Sequence, residues 1–240
     1  MKALLFDFGG TLDTNGIHWS EKFWDVYQRC RAPITKADFE RGYVAAESRM
    51  EATVITPHDT LLHTLEKQVD YQFAALKSYG VFGNPIAAED LAPRIARECF
   101  RDVCETINRI RPLLSACRHR YQVGLVSNFY GNLEAVCKEL GIAGLFDAIV
   151  DSAVVGVRKP NPQIFTYALG KLGVKADESL VIGDSYERDI VPAKSIGCTT
   201  VWLRGRSWRL PSDTPAADYV IHAVSDISSF LRTAKHAVTL

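Results

Sequence analysis

Short apolar runs alternate with longer amphipathic segments along much of this chain. Six short runs are rich in apolar and β-branched residues and are followed by small or polar residues, as is typical of buried parallel strands. These runs lie at residues 3–8, 122–126, 148–150, 180–182, 199–203 and 219–221. Helical patterns lie between them at 133–140, 162–172 and 187–195. The alternation predicts an α/β fold with a doubly wound parallel sheet.

The segment at residues 17–109 differs, because it has helical periodicity throughout and no run typical of a strand. We therefore predict an all-helical domain at 17–109, inserted after the first strand of a core formed by 1–16 and 110–240. The clearest helix of the insertion has apolar residues at spacings of three and four: Leu62, Leu65, Val69, Phe73 and Leu76.

The balance of charges excludes two classes of partner. The chain has 28 basic and 28 acidic residues and no basic run of five or more. We therefore expect neither nucleic acid nor a membrane surface as a partner.

The apolar runs are shorter than the roughly 20 residues that a membrane-spanning helix needs. No N-terminal segment resembles a secretion signal and the six cysteines form no Cys-x-x-Cys pair, so we expect a cytoplasmic protein with reduced thiols.

Polar side chains follow four of the predicted strands. In open α/β sheets, ligands bind at the carboxyl ends of the strands, and these side chains share that edge. A single aspartate at a strand end is typically a helix cap or a turn former, whereas four polar sites along one edge indicate a binding or catalytic site. The residues are Asp7 after the first strand, Ser127 and Asn128 after the second, Lys159 after the third, and Asp184 and Asp189 after the fourth.

These side chains complement one another chemically. A carboxylate nucleophile that attacks an anionic group needs a cation to neutralise charge and donors to bind the transferred group. Lys159 can supply the cation, and the Ser127 hydroxyl with the helix N-terminus that follows it can supply the donors. Asp7 and Asp184 offer the hard oxygen atoms that Mg²⁺ prefers. The two glycines that follow Phe8 allow the backbone to approach a metal or phosphate closely.

In their order and approximate spacing, these residues resemble the haloacid dehalogenase superfamily of hydrolases. The resemblance implies a Rossmann-like core with a helical cap domain inserted after the first strand. It also implies a small phosphorylated substrate and an aspartyl-phosphate intermediate. The matching motifs are Asp7-Phe8-Gly9-Gly10-Thr11-Leu12, then Ser127, then Lys159, then Gly183-Asp184-Ser185 with Asp189.

The resemblance implies a role for most of the matching residues. Asp7 is the implied nucleophile, Ser127 is implied to bind the phosphoryl oxygens, and Lys159 is implied to steady both the nucleophile and the transferred group. The implied Mg²⁺ ligands are the carboxylates of Asp7 and Asp184 and the backbone carbonyl of Gly9.

Two further residues have less definite roles. Asp189 either orients Lys159 or a water at the metal from outside the ligand set, or it caps the local helix. Asn128 lies next to Ser127 in the chain, and we expect it within reach of the substrate.

Gly9 departs from the family pattern. Phosphatases of this family usually carry a second aspartate two residues after the first, which protonates the leaving group and then activates water. Glycine keeps the carbonyl ligand but lacks the acid, and positioned acid–base catalysis contributes roughly 10²- to 10⁴-fold in rate. Asp13 and His18 are the nearest candidates to replace the acid, although we expect each to be an exposed turn residue.

Three functions remain open, and we favour a phosphatase that acts on good leaving groups or recruits another acid. A phosphonate- or haloacid-type hydrolase is the second. The phosphonate branch uses a cap lysine as a Schiff base, for which the surface residues Lys22, Lys36, Lys67 and Lys77 are candidates, and the haloacid branch has an aromatic residue in place of Gly9. A family member that binds a phosphorylated metabolite without turnover is the third.

Substrate specificity is expected to lie on the cap. Trp19, Trp24 and Tyr43 have the spacing of packing residues, and we expect them to contribute to the apolar interior of the cap. We expect the basic loop at residues 204–209 to face solvent. No feature of the sequence fixes the oligomeric state.

Overall fold

The computed structural model describes residues 1–51, 55–81, 90–207 and 215–233. Within this part of the chain, six parallel strands form one sheet in the order β3-β2-β1-β4-β5-β6. The prediction of a parallel α/β sheet is confirmed, and β1 ends two residues earlier than predicted. The strands are β1 Ala3–Phe6, β2 Gln122–Ser127, β3 Ala148–Asp151, β4 Ser179–Gly183, β5 Thr199–Leu203 and β6 Tyr219–Ile221.

Helices flank the sheet and form the insertion. The described helices are α1 Trp19–Arg29, α2 Lys36–Glu51, α3 Leu61–Ser78, α4 Leu91–Arg118, α5 Leu133–Glu139, α6 Ser152–Val155, α7 Gln163–Leu172, α8 Val191–Ser195 and α9 Ile227–Thr233. Short helical turns lie at Phe8–Leu12, Ala143–Leu145, Ala176–Glu178, Tyr186–Ile190 and Val224–Asp226. None of the helices in the described residues has the length and apolar character needed to cross a membrane.

The central strand β1 is buried on both of its faces. Its side chains alternate between the two faces of the sheet, and all four residues are inaccessible to solvent. Leu4 and Phe6 join an apolar cluster that includes Leu114 of α4, whereas Leu5 joins a second cluster that includes Phe165 of α7. This double burial explains why the strand reads as an unbroken apolar run rather than an alternating one.

The insertion is helical, as predicted, and has an aromatic interior. Trp24 and Tyr27 of α1 pack against Phe39 of α2, with ring centroids 5.4 Å and 5.1 Å away. Tyr43 is buried and packs against Phe23 and Phe39. The expectation that Trp24 and Tyr43 are packing residues is confirmed.

Helix α4 connects the insertion to the core without a break. The predicted domain boundary between residues 109 and 110 falls inside this helix. Ile107 and Ile110, on either side of that point, are both buried in the same apolar cluster. Asp102 of α4 also accepts hydrogen bonds from Lys22 and Arg29 of α1, so α4 holds the first cap helix as well.

The segment that leads into the cap is tied to the loop after β5. Arg206 N–H donates to Gly16 O at 2.9 Å, and His18 N–H donates to Arg206 O at 2.9 Å. The Arg206 guanidinium forms ion pairs with Asp25 and Glu21 of α1. Arg204 and Arg206 are both exposed, so the expectation that this loop faces solvent is confirmed for them, and Arg206 also contacts the cap. Residues 208–209 of the loop lie outside the described residues.

Candidate active site

A cavity of about 470 Å³ opens at the carboxyl edge of the sheet, beside the ends of β1, β2 and β4. Parallel strands place the residues that follow them at one edge, so polar residues far apart in sequence meet there. The cavity brings together every site residue that the sequence predicts: Asp7, Gly9, Ser127, Asn128, Lys159, Asp184 and Asp189.

The turn after β1 is shaped by its two glycines. The Asp7 N–H donates to Ile182 O at 2.9 Å, which keeps Asp7 in line with the β1–β4 pair. Gly10 has a φ of 93°, and a Cβ atom there would lie 2.4 Å from Asp184 Oδ2, so only glycine fits. Gly9 has an ordinary φ of −73°. A Cβ atom on Gly9 would approach nothing closer than Trp19 Nε1 at 3.9 Å, so a side chain would fit at position 9.

Lys159 joins the candidate nucleophile to a second carboxylate. Its Nζ lies 2.6 Å from Asp7 Oδ1 and 2.6 Å from Asp189 Oδ1, and all three residues are buried. Burial alone would lower the pKa of Lys159, but Asp189 and Asp7 outweigh it and raise the pKa above its ordinary value. Lys159 therefore stays a cation at neutral pH. Ser127 Oγ donates to Asp7 Oδ1 at 3.4 Å.

Asp189 has both carboxylate oxygens occupied. Oδ1 contacts Lys159 as described, and Oδ2 accepts a hydrogen bond from the Ser185 N–H at 3.0 Å. Burial raises the pKa of Asp189, and the positive charge of Lys159 opposes that shift. The residue is thus placed to hold Lys159 in position. The alternative that its carboxylate caps a local turn also describes the contact with Ser185.

Asp184 is held by two side chains from neighbouring elements. Thr11 Oγ1 donates to Asp184 Oδ1 at 3.1 Å and accepts from the Asp184 N–H at 3.0 Å. Trp202 Nε1 on β5 donates to Asp184 O at 2.8 Å. Burial raises the pKa of Asp184 well above its ordinary value, and the negative charges of Asp7 and Asp189 raise it further. Bringing these carboxylates together is unfavourable without a cation beside them.

The donor set fits Mg²⁺. One carboxylate oxygen from each of Asp7, Asp184 and Asp189 lies within 4.8 Å of the others. Since both oxygens of Asp189 already have partners, Asp7 and Asp184 are the carboxylates left for a cation. Mg²⁺ typically takes one or two protein carboxylates and keeps several waters. The predicted ligand set of Asp7, Gly9 and Asp184 stays a prediction.

The side-chain amide of Asn128 binds both backbone groups of Lys159, its N–H and its carbonyl. Its Nδ2 donates to Lys159 O at 2.9 Å, and its Oδ1 accepts from the Lys159 N–H at 2.8 Å. The amide therefore fixes the loop that carries Lys159. Asn128 also lines the cavity. Its contact with substrate stays a prediction.

The two candidate replacement acids have different surroundings. Asp13 is only 1% exposed, so the expectation of an exposed turn residue is wrong for it. Its Oδ1 accepts from the Gly10 N–H at 2.7 Å and its Oδ2 accepts from Trp19 Nε1 at 2.8 Å. Burial raises its pKa to about 7. His18 is half-buried, lines the cavity and caps α1 through its ring Nδ1, which accepts from the Ser20 N–H at 3.2 Å.

The four candidate Schiff-base lysines, all within the described residues, do not line the cavity. Lys22 is not an uncommitted surface residue, because its side chain is 12% exposed and its Nζ lies 3.0 Å from Asp102 Oδ2. Lys36 pairs with Glu21 and Lys67 lies near Asp59. The geometry therefore gives no support to the phosphonate alternative.

Sequence reasoning gave no site role to Thr11, Trp202 or Arg188. Thr11 lies within the first motif, and Trp202 reads as an ordinary strand residue. A buried Trp needs a partner for its indole N–H, and that requirement is the one signal in the sequence that pointed to a polar neighbour. Arg188 also lines the cavity, but in the sequence it has the pattern of a surface arginine next to Asp189.

The sequence is similar to those of known hydrolases. Residues 1–197 match the family model described as haloacid dehalogenase-like hydrolase. Haloacid dehalogenase-like hydrolase domain-containing protein 3 from Danio rerio is 39% identical over 82% of this chain and 82% of its own length. Pyrimidine 5'-nucleotidase YjjG from Escherichia coli is 30% identical over 68% of this chain and 76% of its own.

Other relatives match over shorter stretches or in fold alone. Glyceraldehyde 3-phosphate phosphatase from Methanocaldococcus jannaschii is 32% identical, but the match spans 40% of this chain and 42% of that protein. The putative HAD-hydrolase YfnB from Bacillus subtilis, solved bound to magnesium, superposes with a TM-score of 0.60 at 19% identity, over 96% of this chain and 98% of that one. A dehalogenase structure has a TM-score of 0.62 at 16% identity, over 96% of each chain.

Proposed function

Because this chain belongs to the haloacid dehalogenase-like hydrolases, we propose that it is a Mg²⁺-dependent phosphatase that acts on small phosphorylated metabolites. The observation that supports this most directly is the placement of Asp7 at the cavity, with Lys159 Nζ 2.6 Å from its Oδ1 and the Asp184 carboxylate nearby. A nucleophile, a cation and an oxygen-rich metal site within one cavity are what phosphoryl transfer to a carboxylate requires.

In the proposed reaction, a carboxylate oxygen of Asp7 attacks phosphorus, and the bond to the leaving oxygen breaks. The product alcohol departs and an aspartyl phosphate remains on Asp7. Water then attacks phosphorus, which releases inorganic phosphate and restores the carboxylate. Lys159 steadies the charge on Asp7 and on the transferred oxygens, and Ser127 donates a hydrogen bond to them.

Asp7, Asp184 and the Gly9 carbonyl are the groups that would hold Mg²⁺. When bound, the ion supplies positive charge that neutralises the phosphoryl oxygens and orients them. The approach of the Asp7, Asp184 and Asp189 carboxylates to within 4.8 Å supports a cation at this point, and burial together with these neighbouring charges raises the pKa of Asp184.

Gly9 determines which leaving groups are suitable. Without a carboxylic acid at this position, the departing oxygen receives its proton from solvent or from another group, so alcohols of low pKa leave most readily. Of the two predicted substitutes, His18 lines the cavity and Asp13 does not. We therefore expect higher rates with aryl and other activated phosphates than with simple alkyl phosphates.

The curated relatives suggest two substrate classes for a first screen. One relative is a pyrimidine 5'-nucleotidase and another is a glyceraldehyde 3-phosphate phosphatase. Pyrimidine nucleoside monophosphates and triose phosphates therefore belong in the screen, beside 4-nitrophenyl phosphate as a generic activated ester.

The deciding experiment measures phosphate release from 4-nitrophenyl phosphate by purified protein, with Mg²⁺ and with excess chelator. We expect activity that the chelator removes and that Asp7→Asn abolishes. Asp177→Asn, which removes an exposed carboxylate outside the cavity, is the matched control and should keep full activity. Binding of phosphate esters with no turnover would refute the phosphatase and leave the binding function.

Isotope labelling separates the phosphatase from a dehalogenase. In H₂¹⁸O the proposed chemistry places the label in phosphate, because water attacks phosphorus. Hydrolysis of a carbon ester of Asp7 would instead place the label in the Asp7 carboxylate, which peptide mass spectrometry detects.

A further inference from the structure

One cation on the cavity wall takes no part in the contacts around Asp7. Arg188 lines the cavity, and the residue is exposed. Among the residues that the structure describes, its guanidinium has no ion-pair or hydrogen-bond partner. Its backbone N–H is engaged, since it donates to Ser185 Oγ at 3.4 Å.

Lys159, which also lines the cavity, is in a different electrostatic state. Its charge is balanced by Asp7 and Asp189, each 2.6 Å away. His18 does not add a cation at neutral pH, because burial lowers its pKa. Among the described residues of the cavity wall, Arg188 is therefore the cation available to a second anionic group.

The side chains of Arg188 and Asp189 lie in different parts of the cavity, although the two residues are consecutive. Asp189, the next residue, is 1% exposed and reaches Lys159, whereas Arg188 is exposed at the cavity wall. His18, which begins the first cap helix, lines the same cavity as Arg188. Burial lowers the pKa of His18 and the charge of Arg188 lowers it further. Burial raises the pKa of Tyr43 on α2, and Arg188 opposes that shift.

We infer that Arg188 binds a carboxylate on the leaving-group side of the substrate, so that the preferred substrates are phosphorylated carboxylic acids. The inference rests on the proposed function, because it takes the phosphoryl group to lie at Asp7. An arginine side chain is planar, permanently charged and able to hold a carboxylate through two parallel hydrogen bonds. It therefore discriminates a carboxylate from a neutral group of the same shape.

A carboxylate fits this position better than a second phosphate does. The cavity wall already carries Asp7, Asp184, Asp189 and Glu187. Lys159 balances Asp7 and Asp189, but the exposed Glu187 directly precedes Arg188, and its charge repels a dianionic group more than a monoanionic one. One guanidinium balances a single negative charge.

The test compares two probes of the same shape by calorimetry, in the presence of Mg²⁺, and needs no turnover. Phosphonoacetate carries a carboxylate, and phosphonoacetamide has a neutral amide in its place. We expect the wild-type protein to bind the acid about tenfold more tightly than the amide, as is typical of one charge-assisted contact. In Arg188→Gln the ratio of the two affinities should fall to about one, and in Arg188→Lys it should be intermediate.

Arg101→Gln is the matched control, since it removes one charge from an exposed arginine that does not line the cavity. Its ratio of affinities should match that of the wild type. A ratio near one in the wild type, or an unchanged ratio in Arg188→Gln, would overturn the inference. Failure of the phosphatase proposal has a different signature, namely no phosphate release from any monoester while the ratio of probe affinities persists.

Discussion

Gly10 and Asp184 approach so closely that a Cβ atom on Gly10 would lie 2.4 Å from Asp184 Oδ2. Gly10 follows β1 and Asp184 follows β4, and the turn after β1 brings the backbone of the first against the carboxylate of the second. The neighbouring Gly9 has no such constraint, because a Cβ atom there meets only the Trp19 ring, with its closest atom at 3.9 Å. Of the two adjacent glycines, only Gly10 is therefore required by the packing of the turn.

Gly10→Ala should therefore displace Asp184 and weaken the metal site. We expect the Mg²⁺ concentration at half-maximal activity to rise by roughly 10- to 100-fold, as for other changes beside metal ligands. Because position 10 has a φ of 93°, an alanine there also strains the backbone and should lower the free energy of unfolding by about 1–3 kcal/mol. Magnesium titrations of activity and urea unfolding measure the two effects. Gly9→Ala is the control. If the two variants had the same Mg²⁺ requirement and the same stability, the contact between position 10 and Asp184 would not be what holds the metal site.

Lys159→Met should remove most of the activity. The ammonium group is the cation in contact with Asp7, and losing a group that stabilises transferred charge costs roughly 10²- to 10³-fold in kcat. The variant should also be less stable, because Asp7 and Asp189 remain buried and close without a counter-charge. Steady-state kinetics at saturating Mg²⁺ and urea unfolding test both points. Lys171→Met, an exposed lysine on α7, should leave both quantities unchanged.

Gly9→Asp should restore the absent acid, because the structure has room for a side chain there. We expect kcat/KM for alkyl phosphates to rise by up to roughly 10²-fold, with little change for 4-nitrophenyl phosphate, whose leaving group needs no proton. The metal dependence should stay the same. Gly9→Asn separates the acid from the effect of adding a side chain, and an equal gain in that variant would argue against acid catalysis.

Asp13 should make the stability depend on pH. Its pKa is about 3.9 in an unfolded chain, and burial raises it to about 7 in the folded protein. Between these values the folded state holds a proton that the unfolded state has lost, so the free energy of unfolding falls as pH rises from about 4 to about 7. The change vanishes below that range, where both states are protonated, and above it, where both are ionised.

Urea unfolding of the wild type and of Asp13→Asn across that pH range isolates this contribution. The stability of the wild type relative to the variant should fall by up to about 4 kcal/mol as pH rises. Asp13→Asn also loses an acceptor for Trp19 Nε1, which adds an offset that does not depend on pH. A difference between the two proteins that stays constant from pH 4 to pH 7 would show that Asp13 titrates normally.

The strands and the edge at which the site lies could be predicted from the sequence. Apolar runs and the turn residues that end them are local signals in the sequence. Asp7 and Lys159 each follow one of these predicted strands. The surroundings of Asp13 could not be predicted, because its burial depends on Trp19 folding back over the turn. The same holds for Asn128, whose partner is the backbone of Lys159, 31 residues along the chain. Contacts of this kind are set by tertiary packing rather than by the local sequence.

Arg188 shows a related limit. Its position next to Asp189 was visible, but an arginine in a polar turn has the same pattern whether it faces solvent or a cavity. The structure supplies what the pattern lacks, namely which neighbouring charges are already neutralised. Lys159 is neutralised by Asp7 and Asp189, whereas Arg188 on the same cavity wall has no such carboxylate partner among the described residues.

The unbroken course of α4 determines where this cap can be exchanged between relatives. A cassette that ended at residue 109 would be spliced in the middle of a helix, between the buried Ile107 and Ile110. A transplant that instead ends beyond Arg118 moves the whole helix in one piece, so Ile107 and Ile110 come from the same parent. At the other junction, the natural splice point is Gly16, where the incoming chain is already fastened to Arg206 of the recipient core.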